Sequence, residues 1–512
     1  MSNWTDGYVS DIEYLEACYI EQTPAHLNTA CLLRGVEPPV AAGQPYRYCE
    51  LGCGLGKSAA TIAAACPDAE VWGFDFNPAH IARGNQLAQL GHLANLHLED
   101  CSFADLAGPK GAALPRFHYI AMHGVWSWIS PENRRHIVEF IGEHLEPGGL
   151  VYVTYNALPG WNSVAPVQRL LWASANLEKG RSDQRVGTAI RLVRQMSETG
   201  AIALPIQQIE RLEDECRKDN LSYLAHEYLN DHWQPFYHMD VAAALAPAKL
   251  TYAASANILD NYPDICVNKE QRAFIDDTPS ALRETVRDYF MTRSFRRDIF
   301  IRGSRPVPAR RLEQRLRQIR LTAIVPPKSL TRNINVPIGE ATLGEDFYAP
   351  ALEMISRDMP TIEEIFDHAG GGNATAREAV GMLIGSKQAM AVVTPELAES
   401  ARARVRAYNA AQIRLCADGG KAHTSLAGAA IGSAVLAGLV EMLVYEALAD
   451  GIPAEAEPVI ADCWKRLQRR GDRLADNGKV IESEAENIDL LRRSALDALT
   501  LSLPIWRRVG AI

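Results

Sequence analysis

Short apolar runs separated by polar, helix-compatible stretches set the rhythm of the first third of the chain. Residues 46–49, 70–74, 96–98, 117–122 and 150–155 each read as a strand. A helix opens at Lys57, and a second covers 131–145, started by Ser130-Pro131 and stopped by Glu146-Pro147-Gly148-Gly149. Strands that alternate with helices predict an α/β fold with a doubly wound parallel sheet, whose ligands lie at the carboxyl ends of the strands. The rhythm then breaks. Residues 164–220 form one long helical stretch, followed by a helix at 240–246, a strand at 249–254 (KLTYAA) and a basic-apolar strand at 295–302 (FRRDIFIR).

Beyond about residue 305 the organisation is different and mainly helical. Residues 346–393 read helix, turn, helix, strand, with a capping box of Thr361 and Glu364, a turn at 370–373 and a strand at 390–393. That order resembles a winged-helix module, although Arg377 and Lys387 leave its second helix nearly uncharged, which favours protein over DNA contacts. Helices are expected at 395–411, 425–449 and 453–475.

Composition bounds the function. A chain of 512 residues, 47% hydrophobic and 22% charged, is a soluble globular composition too long for one core. The net charge of −10 argues against nucleic acid as a general partner. One stretch, 293–320, carries ten arginines against two acids, but its spacing fits a strand and then an amphipathic helix with arginines paired or solvated. The ten cysteines show no CxxC pair and no metal-ligand spacing, which suits a reducing cytoplasm. The start of the chain lacks the basic and apolar regions of a secretion signal. The apolar run 425–440 is sixteen residues, short of the ~20 a spanning helix needs, so it is read as buried. His226, His232 and His238 are six apart, not the i, i+4 spacing of a helical metal pair; the aromatic stretch 223–240 around them reads as a lid over a pocket or as core.

The sharpest local signal is CELGCGLGKS, 49–58. A phosphate-binding P-loop needs glycine at 51, where Leu51 stands, and the dinucleotide fingerprint needs glycine at 57, where Lys57 stands. What remains is a turn with glycines at 52, 54 and 56, which lets backbone approach a ligand ahead of a helix N-terminus. Asp75, twenty-three residues past Gly52, ends the second strand, where a carboxylate can accept hydrogen bonds from a ribose diol. The third strand runs into Glu99-Asp100-Cys101-Ser102-Phe103, an acid and an aromatic able to grip an adenine.

ELGCGLG, GFDFNP, LEDCSF and LEPGGLVYVTYN, in that order, resemble the motif series of class I S-adenosylmethionine-dependent methyltransferases. The resemblance implies S-adenosyl-L-methionine as cofactor. Glu50, Gly52, Cys53, Gly54 and Gly56 would lie at its methionine end, Asp75 would hold the ribose and Asp100 with Ser102 or Phe103 the adenine, with Phe76 and Cys101 beside them also binding the cofactor. Tyr155 and Asn156, after the fifth strand, would orient a substrate nucleophile, and His123, after the fourth, would line the cofactor or take a proton. Tyr14 and Tyr19, on an N-terminal helix, would close over the methionine end. DIEYLEACYIEQTPAHL, MHGVWSWI, YNALPGW, YLAHEYLNDHW and FRRDIFIRG further resemble methyltransferases with a methyltransferase regulatory domain, among them rickettsial-type protein lysine methyltransferases.

The resulting expectation is a Rossmann-like methyltransferase core with an N-terminal helix (1–162), a helical insertion (163–235), a regulatory segment completing the sheet (236–305) and a C-terminal substrate or interaction domain (306–512). The expected activity is methylation of lysine in a bacterial envelope protein in the cytoplasm, without metal, membrane insertion or nucleic acid, by a chain that could pair as a homodimer. A small-molecule or glycan O-methyltransferase and a non-catalytic cofactor-binding protein are the alternatives.

Overall fold

The computed structural model describes residues 4–12, 17–218, 220–370, 374–418, 420, 422–476 and 479–512; Tyr14 and positions 371–373 of the expected turn lie outside them. The strands β1 (Arg47–Leu51), β2 (Glu70–Asp75), β3 (Leu96–Asp100), β4 (Phe117–Met122), β5 (Leu145–Asn156), β6 (Leu250–Ser255) and β7 (Phe295–Arg302) form one seven-stranded sheet. Their order is β3-β2-β1-β4-β5-β7-β6, with β7 antiparallel to both neighbours. The order reverses between β1 and β4, the place where a doubly wound sheet opens a crevice at its carboxyl edge.

Both faces of the sheet are covered, so its strands are apolar almost throughout; in β5 every residue from Gly148 to Asn156 is buried. Helices Pro24–Leu33, Lys57–Ala65 and Pro78–Leu90 contribute to the core on one side, and helices Pro131–His144 and His238–Leu245 to the core on the other. Side-chain caps fix where helices begin: Ser130 accepts from the Asn133 amide, Asn77 from Ala79, and Ser102 forms a capping box with Asp105.

Four helices, Ala165–Ala175, Ser182–Glu198, Ile206–Arg217 and Leu221–Tyr228, separate β5 from the last two strands and bury a cluster of their own with Val9, Ile12 and Trp161. The basic stretch resolves into β7 and the helix Ala309–Arg317, and many of its arginines are paired: Arg296 with Asp288 and Asp298, Arg315 with Glu37, Arg320 with Glu364. In the C-terminal region the strand Leu321–Ala323 pairs with Ala389–Ala391 around helices Glu345–Arg357, Ile362–Ala369 and Ala376–Gly385. Thr361 and Glu364 make the expected capping box. After the strand Ala389–Ala391 comes the 24-residue helix Pro395–Asp418, where a winged helix would place its wing hairpin.

The helix expected over 425–449 is replaced in its first half. His423–Gly428 and Ser433–Gly438 form an antiparallel hairpin, and only Leu439–Ala449 is helical. Glycine explains the difference: Gly432 turns the hairpin at φ +58°, and Gly428 lies so close to Ile431 that a Cβ would meet it at 2.9 Å. The segment is largely buried, as its composition implies, and among the described residues no helix is long and apolar enough to cross a membrane.

Candidate active site

The glycine turn is shaped by its neighbours. Gly52, Gly54 and Gly56 all have positive φ, at +69°, +54° and +68°. A Cβ on Gly52 would come within 2.5 Å of Val125, so that position admits no side chain without a shift; Gly54 faces open space. Gly56 caps the helix Lys57–Ala65 in the left-handed conformation, and the Lys57 ammonium points away to within 4.0 Å of the Cys416 sulfur. The turn is therefore not a P-loop.

Asp75 holds the turn from the side. Its Oδ2 accepts from the Gly54 amide at 2.8 Å, its Oδ1 from the Asn77 amide at 2.9 Å, and His80 Nδ1 lies 3.4 Å away. Each carboxylate oxygen keeps a further lone pair for a ligand hydroxyl.

A cavity of about 460 Å³ opens beside this turn, within the usual range for small-molecule sites. Of the residues assigned from the sequence, Gly52, Gly54, Asp75, Phe76, Cys101, Ser102, Phe103 and His123 line it. The other expected residues stand behind the wall. Glu50 is buried and accepts from Gln22 Nε2 at 2.8 Å, and burial pushes its carboxyl up to about 8 against the hydrogen bonds from Gln22 and Ala59. Its second oxygen is buried without a partner. Cys53 is packed against Gly73, and Asp100 is exposed at the rim, where its carbonyl accepts from Lys110. The Ser102 hydroxyl is engaged by the Asp105 cap.

Three expectations are corrected by position. Tyr155 does not reach the cavity: it is fully buried and donates to Asp298 Oδ2 at 2.6 Å, inside the ion-pair cluster of Arg296. Tyr19 sits on an extended segment, not a helix, and stacks on His123 with ring centroids 3.5 Å apart. His123 lines the cavity but is no proton carrier, because burial, with help from Arg297, lowers its imidazole to about 3. The aromatic stretch 223–240 divides: Tyr223 and His226 face a recess, whereas Trp233 packs on Trp161 and His238 on Tyr252, as core.

Trp4, Asp6, Tyr8, Trp128, Glu132, Asn133 and His136, given no role from the sequence, also line the cavity. Tyr8 bridges two compartments, edge-on to Phe76 at 5.7 Å and beside His226 at 5.8 Å. On its far side lies a narrow recess lined by Tyr8, Gly124, Trp128, Tyr223, His226 and Glu227. Trp128 belongs to MHGVWSWI and Glu227 to YLAHEYLNDHW, so the signal was present as motif without assigned roles.

Residues 49–151 match a methyltransferase domain and residues 220–302 a predicted methyltransferase regulatory domain. An uncharacterized protein of Synechocystis sp. is 31% identical over 99% of both chains. The chain belongs to the S-adenosylmethionine-dependent methyltransferases that carry a methyltransferase regulatory domain. An uncharacterized protein of Rickettsia prowazekii, RP789, is 26% identical over 56% of this chain and 51% of its own length. PKMT2 from Rickettsia typhi, solved in complex with AdoHcy, shares the fold, with a TM-score of 0.66 over 97% of this chain and 100% of that one at 18% identity. The residues present fit the methyl donor: the open turn at Gly54 offers backbone room and the carboxylate of Asp75 a diol acceptor.

Proposed function

We propose that this enzyme methylates the side-chain amine of lysine in a protein substrate. One observation carries the reading. The cavity and its recess are lined by Asp6, Asp75, Glu132 and Glu227 and, among the described residues, by no lysine or arginine. Such a site favours a cationic acceptor over an anionic one. The aromatic faces of Tyr8, Trp128 and Tyr223 add a surface on which an ammonium is stabilised. The fold shared with PKMT2 along nearly the whole chain, C-terminal region included, supports the same reading.

When bound, the cofactor supplies a methyl group activated by the sulfonium. The chain's own residues orient and desolvate. The Gly52–Gly56 turn and Asp75 place the donor, and the Tyr19–His123 stack packs behind one edge of the cavity. The aromatic recess takes the amine out of water, which favours the neutral nucleophile. Envelope proteins, glycans and low-mass metabolites incubated separately with enzyme and methyl-labelled cofactor test the reading. Label in protein is expected; label confined to glycan or low-mass products overturns it in favour of an O-methyltransferase.

A further inference from the structure

Glu227 is a residue to which the sequence motifs gave no role, and its surroundings are built rather than incidental. Asn156, at the end of β5, donates from Nδ2 to Glu227 Oε1 at 3.1 Å. Asn156 is itself fixed: its amide donates to Ser127 Oγ at 2.9 Å and its carbonyl accepts from the Phe236 amide at 2.8 Å. The Trp128 indole donates to the Glu227 backbone carbonyl at 3.4 Å, so one wall of the cofactor cavity is tied to the backbone that carries the acid. Tyr8, Gly124 and Trp128 line both the cavity and the recess, so the recess, with room for a water-sized group (about 10 Å³), adjoins the methyl-donor site beside the end of β4.

We propose that Glu227 is the group that receives the acceptor amine, binding it as an ammonium and taking its proton before transfer, with Asn156 as the residue that positions the carboxylate. This rests on the lysine reading above. The ammonium N–H bond breaks and its proton passes to Glu227. The freed nitrogen pair then forms the N–C bond to the methyl group as the C–S bond breaks and its electron pair stays on sulfur. The products are a methylammonium, a neutral thioether and a protonated Glu227, which returns its proton to solvent.

Other charged groups around Glu227 leave it able to play this part. Arg211, from the helix Ile206–Arg217, is the cation that acts on it; Tyr8 faces it from the N-terminal segment, and Tyr223, His226 and Tyr228 share its helix. Burial raises its carboxyl to about 7, against the opposing pull of Asn156 and Arg211. The general base is therefore active in its ionised form, and turnover should rise with pH through that region.

The test uses the full chain, methyl-labelled cofactor and an envelope-protein extract, with labelled lysine quantified between pH 5.5 and 9. Wild type should show a rising limb near neutrality. Glu227→Gln should lose that limb and at least about 10²-fold in turnover, the usual lower range for a lost acid–base group, with cofactor affinity by calorimetry unchanged as proof of folding. Asn156→Ala removes a hydrogen bond that favours the carboxylate, so its limb should move to higher pH; a purely structural role would leave the limb in place. Lysine labelling by Glu227→Gln at wild-type rate and pH profile overturns the proposal while leaving the lysine reading intact. Wild type that labels no lysine overturns both.

Discussion

At the residue scale the site rests on side chains with two duties. Asp75 both anchors the Gly54 amide and faces the cavity, so Asp75→Ala removes a ligand acceptor and loosens the turn together. Hydrogen bonds to a charged group contribute ~1.5–3 kcal/mol, which predicts cofactor binding weakened by about 10- to 100-fold or more in calorimetry. Glu50 gives a pH-dependent prediction. Its carboxyl is raised to about 8 in the fold, so folded protein holds a proton there that the unfolded chain releases above its ordinary value near 4.5. That contribution to stability is lost as pH rises from about 4.5 to 8. Glu50→Gln, which carries no such proton, should gain in melting temperature relative to wild type in cofactor-free protein, and gain more at pH 8 than at pH 5. Tyr155 shows where residue-level reading of a sequence fails. Its place after β5 is right for a substrate-orienting group, but strand alternation sends its ring toward Asp298, whose partner Arg296 lies some 140 residues later. Only the fold brings them together. Tyr155→Phe is accordingly expected to cost about 1–3 kcal/mol of stability by leaving the buried Asp298 carboxylate one hydrogen bond short, with cofactor affinity retained.

At the element scale the turn after β1 and the seven strands were legible because their signals are local. Glycine spacing, an acid at the end of β2 and a Ser-Pro helix start each act within a few residues. The glycines are not equivalent. Gly52→Ala sets a methyl group against Val125 on top of its left-handed strain and should lower both melting temperature and cofactor affinity, whereas Gly54→Ala meets no protein atom and should cost only the ~1–2 kcal/mol of a left-handed alanine at φ +54° while binding cofactor poorly. Thermal melts paired with calorimetry separate the two. The hairpin His423–Gly428/Ser433–Gly438 was not legible, because an alanine- and glycine-rich run carries no period that distinguishes strand from helix. The recess was missed for a related reason: Tyr8, Trp128 and Glu227 belong to three segments far apart in sequence, and no local pattern pairs them.

At the scale of the whole molecule the C-terminal region is part of the catalytic core's support. Helix Pro395–Asp418 packs on the helices that follow β1 and β2, the buried Tyr408 hydroxyl lies 3.1 Å from Thr61 Oγ1, and Arg404 donates to Asn95 at 3.0 Å. One hydrophobic cluster runs from Leu27 through Ile62 and Leu316 to Ala429. Truncating Tyr408 to alanine should therefore cost about 3–5 kcal/mol, as for other buried aromatics, and weaken cofactor binding from a distance by loosening the helix Lys57–Ala65. The acidic, aromatic site supports the central proposal, that the methyl group goes to a lysine nitrogen. Amino-acid analysis of fully hydrolysed, methyl-labelled protein product tests it most directly. The account predicts radioactivity that co-elutes with methylated lysines; label released as methanol by mild alkali, with none in the lysine fractions, would contradict it.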